Sequence, residues 1–464
     1  MKSSKQSRRE FLRKATATGI LTGAVIHSQA RPLTLSPAHH PWTNRSFGAN
    51  DQVNIAAIGM GIMGFNNMEH TLKVPGVKLV GACDLYSGRL ERAKEVYGKD
   101  LFTTKNYREL LDRKDIDAVV ISTSDHWHDH IAIAAMNKGK HVYVEKPMVH
   151  RLEEGAAVID AQLKTKKVLQ VGSQRVSSIV TLKAKELFEQ NLIGELIMIE
   201  TWNDRQSANG AWQYSIPTDA KNNTVDWETF VGDAPKIAYD PVRFFRWRNY
   251  QDYGTGVAGD LFVHLFSALH TITSSAGPVR CYSTGGLRYW KDGRDVPDII
   301  AGLYDYAATA QHPAFNLQMR VNFVDGNGGG EMLRLVGSEG VIEVGWGHVK
   351  VTRNKISKNP GYGGWDSFDT FSSIQQKDYE KWYKSTWPEE KEQPQEVIEW
   401  KAPADYNTNV DHHLAWYAGI REGKAIKEDA LFGMRAAGPA LLANKSYFEK
   451  RIIDWDPIKA VVRN

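Results

Sequence analysis

The sequence predicts an α/β plus α+β fold: an N-terminal doubly wound parallel sheet followed by an α+β domain dominated by one antiparallel or mixed sheet. Three observations carry that expectation. From Val53 to about Gly172 short apolar runs alternate with amphipathic stretches, the first run closes on a glycine-rich turn, and beyond Gly172 strand-like runs follow one another with few helices between them. A chain of 464 residues also exceeds what one hydrophobic core usually organises, so two domains are expected. We place the first over residues 51–172 and the second over 173–408, with a C-terminal helical segment, 409–464, packing back on the fold.

The chain begins differently. Residues 1–30 carry Lys2, Lys5, Arg8, Arg9, Arg13 and Lys14 against Glu10 alone, which accounts for the whole net charge of +4 and leaves the rest close to neutral. Ser7-Arg8-Arg9-Glu10-Phe11-Leu12-Arg13-Lys14 resembles a twin-arginine export signal; an apolar run, Ala15 to Ile26, and the small residues Ser28-Gln29-Ala30 follow it. This implies a periplasmic or otherwise exported protein that folds, and acquires any cofactor, before export, so the cofactor should be held tightly. The apolar run is too short for a permanent membrane span. Residues 31–50, rich in Pro, Ser, His and Asn, read as a linker. A nearly neutral body argues against a nucleic-acid partner, which needs a clustered positive face.

Within the first domain, strands are expected at Val53–Ile58, Val77–Cys83, Asp117–Ile121, His141–Val144 and Val168–Val171, with helices such as Arg89–Tyr97 and Ile131–Lys138 between them. A helix over Thr181–Gln190 then leads into strands at Glu195–Trp202, Val279–Leu287, Ile299–Tyr306, Asn316–Val324, Met332–Val336 and Val341–Val344. Asp325 to Gly330 reads as a hairpin turn, and Asn409 to Lys450 returns to helix. Cys83 and Cys281 both sit in apolar strand-like runs, and no disulfide is expected.

The first strand ends in Gly59-Met60-Gly61-Ile62-Met63-Gly64, a GxGxxG opening a helix, so backbone amides can face a pyrophosphate. The motif alone is weak, because glycines also serve tight turns without any ligand. Asp84 strengthens it, standing at the end of the next strand where a carboxylate would accept hydrogen bonds from the adenosine ribose. That carboxylate would repel a 2′-phosphate, so NAD is favoured over NADP; Arg89 nearby softens the preference. Ser122, Thr123 and His126 follow the next expected strand and join the cofactor candidates.

Further along, Gly139-Lys140-His141-Val142-Tyr143-Val144-Glu145-Lys146-Pro147 resembles the hallmark of the glucose-fructose oxidoreductase, inositol 2-dehydrogenase and rhizopine-catabolism (Gfo/Idh/MocA) family. The resemblance extends from residue 53 to the end of the chain. It implies a Rossmann domain plus an open-faced sheet domain with the nicotinamide between them, Glu145 and Lys146 near the cofactor, and a homodimer or homotetramer formed through the sheet face. Asp252 to His264 ends with Asp260 and His264 four residues apart, on one face if the segment is a regular helix. By the same resemblance Lys146, Asp260 and His264 are the catalytic candidates. Oxidising a secondary alcohol needs a base near neutrality, for which we choose His264, although an amine in such a cluster could equally carry the proton. Lys146 would stabilise charge on the reacting oxygen, and Asp260 would orient the sugar or hold the other two groups.

Gln174 reads equally as a ribose or carboxamide contact and as plain loop polarity. Its neighbour Arg175, with Trp247 and Arg248 of the Arg243–Arg248 stretch, supplies candidate sugar contacts alongside Asp260 and His264. His126, His128 and His130 do not share a helical face and no metal is expected; His412 and His413 stay unassigned. The expected activity is a nicotinamide-dependent dehydrogenase acting on a sugar, glycoside or polyol. The alternative is an NAD-dependent glycosidase that oxidises a ring carbon, eliminates the aglycone, adds water and reduces again; the resemblance implies an altered Glu-Lys-Pro in that group. A non-catalytic sugar binder is disfavoured by the three intact candidates.

Overall fold

The computed structural model describes residues 52–387, 395–423 and 426–463. The export signal and the linker expected over residues 1–50 lie outside the described residues. The first sheet is six-stranded and wholly parallel, in the order β3-β2-β1-β4-β5-β6. Its strands are β1 (Val53–Ile58), β2 (Val77–Cys83), β3 (Phe102–Thr104), β4 (Ala118–Ile121), β5 (His141–Glu145) and β6 (Leu169–Gly172). Helices on both faces bury β1 and β4 almost completely, which is why those segments read as continuous apolar runs instead of alternating ones. β3 escapes the sequence pattern because Phe-Thr-Thr is too short to show any period; it is an edge strand with the Phe102 side chain exposed.

The second sheet has ten strands, ordered β14-β13-β12-β11-β7-β10-β9-β8-β15-β16 and mostly antiparallel. They are β7 (Leu196–Asp204), β8 (Arg280–Gly286), β9 (Ile299–Tyr306), β10 (Phe315–Asn322), β11 (Gly330–Gly337), β12 (Gly340–Val344), β13 (His348–Arg353), β14 (Glu396–Lys401), β15 (Ile453–Asp456) and β16 (Val461–Val462). β10 shows the reason for its one-faced packing: Phe315, Leu317, Met319 and Val321 are buried while the residues between them are not. The helices Ile179–Glu189, Val263–Thr273 and Ala430–Glu449 cover the buried face.

One expectation fails here. Asp325 to Gly330 is not a hairpin turn between neighbours, because β10 and β11 both pair with β7, which lies between them. β10 runs parallel to β7, so the glycine segment has to cross the end of β7. A Cβ on Gly329 would stand 2.9 Å from the Asp204 carbonyl oxygen, so the glycines serve close passage over a strand end. The C-terminal stretch is helical as expected, in two helices, Thr408–Glu422 and Ala430–Glu449. Cys83 and Cys281 are buried free thiols, and among the described residues no helix is long and apolar enough to cross a membrane.

Candidate active site

β1 delivers the chain into the glycine turn, where only glycine fits. Gly59 has φ +90°, and a Cβ there would lie 2.5 Å from the Ser122 carbonyl oxygen; one on Gly64 would lie 2.1 Å from the Gly59 carbonyl oxygen. The helix Ile62–Thr71 that follows has no side chain capping its N-terminus, so its first amides are free to meet an anion. Asp84, at the end of β2, pins this turn in place: one carboxylate oxygen accepts from the Met60 amide at 2.7 Å and the other from the Tyr86 amide at 2.9 Å. Arg89 reaches the same carboxylate at 3.5 Å, its guanidinium 5.2 Å from the centre of the Phe245 ring. Each carboxylate oxygen keeps lone-pair capacity for a ribose hydroxyl.

A cleft enclosing about 1030 Å³, open to solvent, starts at this turn. Gly59, Gly61, Ile62, Met63, Asp84 and Arg89 line one end. Ser122, Thr123, Glu145, Lys146, Trp247 and Arg248 line the other, where the ends of β4 and β5 meet the short helix Trp247–Asn249. Glu145 is 4 % exposed; burial pushes its carboxyl up, against the pull of the Lys146 ammonium and of a 3.0 Å hydrogen bond from Asn67. Lys146 donates both to the Asp260 carboxylate and to the Asp260 backbone carbonyl, each at 2.9 Å, and Arg248 adds a 3.2 Å bond to the same carboxylate oxygen. Burial alone would raise the Asp260 carboxyl, but Lys146 and Arg248 outweigh it and hold it well below the usual carboxylate range.

Asp260 lies in a π turn, Ala258–Phe262, and not in the regular helix that the sequence suggested; His264 falls in the first turn of the α-helix that follows, Val263–Thr273. The wider turn frees backbone around Asp260, which is how its carbonyl comes to face Lys146. Burial, then the Lys146 and Arg175 cations, push the His264 imidazole well below its ordinary value, with Asp260 opposing them. The ring is therefore neutral at physiological pH.

Asp260 and His264 stand behind Lys146 and do not themselves line the cleft, and neither do His126, Gln174 and Arg175. The His126 ring nitrogens lie 2.8 Å from the Phe230 carbonyl oxygen and 3.2 Å from that of Tyr253, so its imidazole ties two loops together while its neighbours Trp127 and His128 line the cleft. Gln174 donates to the Tyr143 hydroxyl at 3.3 Å, back toward the first sheet. Arg175 pairs with Glu331 and lies under Trp346. Tyr214 and Phe244 line the cleft without having been singled out; the density of aromatic residues around Trp212 and Phe244 was the available signal, and packing explained it equally well. His412, also buried, sits 2.8 Å from both the Ser177 hydroxyl and the Val171 carbonyl oxygen. Among the described residues no group of three or more His, Cys, Asp or Glu is placed to hold a metal.

Burial lowers the His126 pKa to about 4, which gives a signed stability effect. Below pH 6.5 the unfolded chain takes up a proton that the folded imidazole refuses, so stability is lost as pH falls. His126→Asn removes this loss: its unfolding free energy relative to wild type should improve by about 3 kcal/mol between pH 7 and pH 4. Denaturant titrations at the two pH values measure it, and an unchanged difference refutes the assignment.

A parallel sheet with a glycine-rich anion turn and an acid at the second strand, followed by a second, mostly antiparallel sheet, is consistent with the two-domain fold of the Gfo/Idh/MocA type. Residues 53–173 match the model of that group, described as oxidoreductase family, NAD-binding Rossmann fold. The whole fold is similar to that of levoglucosan dehydrogenase in complex with NADH and levoglucosan, with TM-score 0.61 and 17 % identity over 87 % of this chain and 99 % of that one. It is also similar to myo-inositol 2-dehydrogenase from Lactobacillus plantarum, with TM-score 0.58 and 18 % identity over 87 % and 99 % of the two chains. In sequence the chain is 34 % identical over 208 residues to a protein of Shewanella oneidensis named alpha-N-acetylgalactosaminidase. It is equally identical over 204 residues to a glycosyl hydrolase family 109 protein of Shewanella baltica. Each alignment covers 41 % of this chain and 44 % of the relative.

Proposed function

We propose that the protein is an exported oxidoreductase that keeps NAD bound and oxidises a hydroxyl of a sugar, glycoside or polyol, or reduces the corresponding carbonyl. The observation that carries this reading is Lys146, which lines the cleft that begins at the glycine turn and is held 2.9 Å from the Asp260 carboxylate behind it. Gly59, Gly61 and Gly64 with the uncapped helix would hold the pyrophosphate, and Asp84 the ribose; Asp84 also favours NAD over NADP. Bound there, the nicotinamide would accept hydride from the carbinol carbon. Lys146 would hydrogen-bond the reacting oxygen, and the neutral His264 would take the hydroxyl proton. Asp260 would keep the Lys146 ammonium oriented and charged. Trp247, with the Arg248 guanidinium 4.2 Å from its ring centre, would meet the sugar.

The names of the Shewanella relatives favour a second reading, a glycosidase working through transient oxidation and re-reduction. The intact Glu145-Lys146-Pro147 weighs against it, since the resemblance implies an altered form of this motif in that group. Both readings are tested by purifying the mature protein gently, denaturing a sample to look for released NAD, and offering the rest a panel of sugars and aryl glycosides without added cofactor. A keto-sugar together with released NAD supports the dehydrogenase. Free aglycone with unchanged redox state supports the hydrolase, and a protein that binds no nucleotide overturns both.

A further inference from the structure

Trp346 is 72 % exposed, on the turn between β12 and β13. Beneath it lies the Arg175 guanidinium, 4.4 Å from the ring centre. Arg175 itself is 8 % exposed; it is paired with Glu331, and its Nε has no hydrogen-bond partner. Glu331, on β11, is held from the other side by Asn203 of β7, which donates to it at 2.6 Å. The turn carrying Arg175, Gln174–Ser177, packs on the helix that carries His264, and Arg175 is close enough to act electrostatically on that imidazole. A path of buried polar groups therefore leads from the proposed reacting centre outward to one exposed aromatic face.

We propose that Trp346, with Arg175 and Glu331, forms a second sugar subsite, so that the substrate is a glycoside of at least two pyranose rings: one presented to Lys146 and His264, the next stacked on the indole. The inference rests on the sugar-oxidising reading above and narrows its substrate class. A pyranose has an apolar C–H face that suits the exposed side of an indole, while its rim hydroxyls stay directed to solvent. The underlying cation holds the ring plane in place before any sugar arrives.

The test compares hexoses with disaccharides ending in the same hexose, in the NAD-loaded full protein, by turnover and by calorimetric titration. Wild type should favour the preferred disaccharide over its monosaccharide by about tenfold or more in kcat/KM and in affinity. Trp346→Ala should reduce that ratio about tenfold, and Trp346→Phe should restore most of it. Turnover with no preference in wild type, or a ratio unchanged in Trp346→Ala, overturns the subsite and leaves the oxidoreductase reading standing. Trp346-dependent disaccharide binding without any turnover keeps the subsite and overturns that reading. Neither binding nor turnover of any sugar overturns both.

Discussion

Lys146→Ala should lower the rate of hydride transfer by about 100- to 1,000-fold while NAD remains bound, the range seen when a single preorganised donor to a developing oxyanion is removed. The ammonium is fixed by two acceptors on one residue, the carboxylate and the carbonyl of Asp260, so it arrives at the reaction already oriented. Its remaining N–H is the one available to substrate. The fold should survive the change, because Asp260 keeps the Arg248 guanidinium and is not left as an isolated buried charge. Lys146→Arg is not expected to rescue, since a planar fork cannot place one donor at the same point while satisfying both Asp260 acceptors. Nicotinamide absorbance in a single turnover, with NAD released by denaturation as the occupancy control, reads both quantities. Activity near wild type in Lys146→Ala would remove the ammonium from the mechanism.

How much of this was visible in the chain depends on what kind of signal each residue leaves. The glycine turn was legible because steric demand on its backbone forces glycine, and Asp84 because it stands at the next strand end, whereas Lys146 was reached only through the Glu-Lys-Pro resemblance. The crossing at Asp325–Gly330 was not, because a glycine run looks the same whether it reverses between neighbouring strands or passes over a third. The π turn at Ala258–Phe262 was equally hidden: its residues are compatible with an ordinary helix, and the contact of its Asp260 carbonyl with Lys146 is made by a residue more than a hundred positions away. His126 illustrates the opposite error. A histidine beside the cofactor loop invites a chemical role, but the carbonyl oxygens that engage it belong to Phe230 and Tyr253, more than a hundred residues away in sequence. Arg175, Glu331 and Trp346 are brought together only by the pairing of β11 with β7 and by the β12–β13 turn, which no local pattern announces.

His264→Ala should cost about 100- to 10,000-fold in kcat if the imidazole is the proton acceptor, the usual contribution of a positioned base. The pH profile then separates it from Lys146. A base works deprotonated, so kcat/KM holds steady above its pKa and falls about tenfold per pH unit below it. Burial and the Lys146 and Arg175 cations push the free imidazole well below its ordinary value of 6.5, so the acid limb of wild type should begin below pH 6.5 and not at it. Arg175→Gln removes one of those cations, which should move the limb toward higher pH while hydride transfer persists at pH 8. His264→Gln, which keeps a hydrogen-bonding side chain of similar size, should lose the limb together with most of the rate. A lysine base would instead set the break on the alkaline side, because an amine needs much higher pH to shed its proton. A break there, combined with an acid limb that ignores Arg175→Gln, would transfer the base role from His264 to Lys146 and leave the imidazole to orient the sugar.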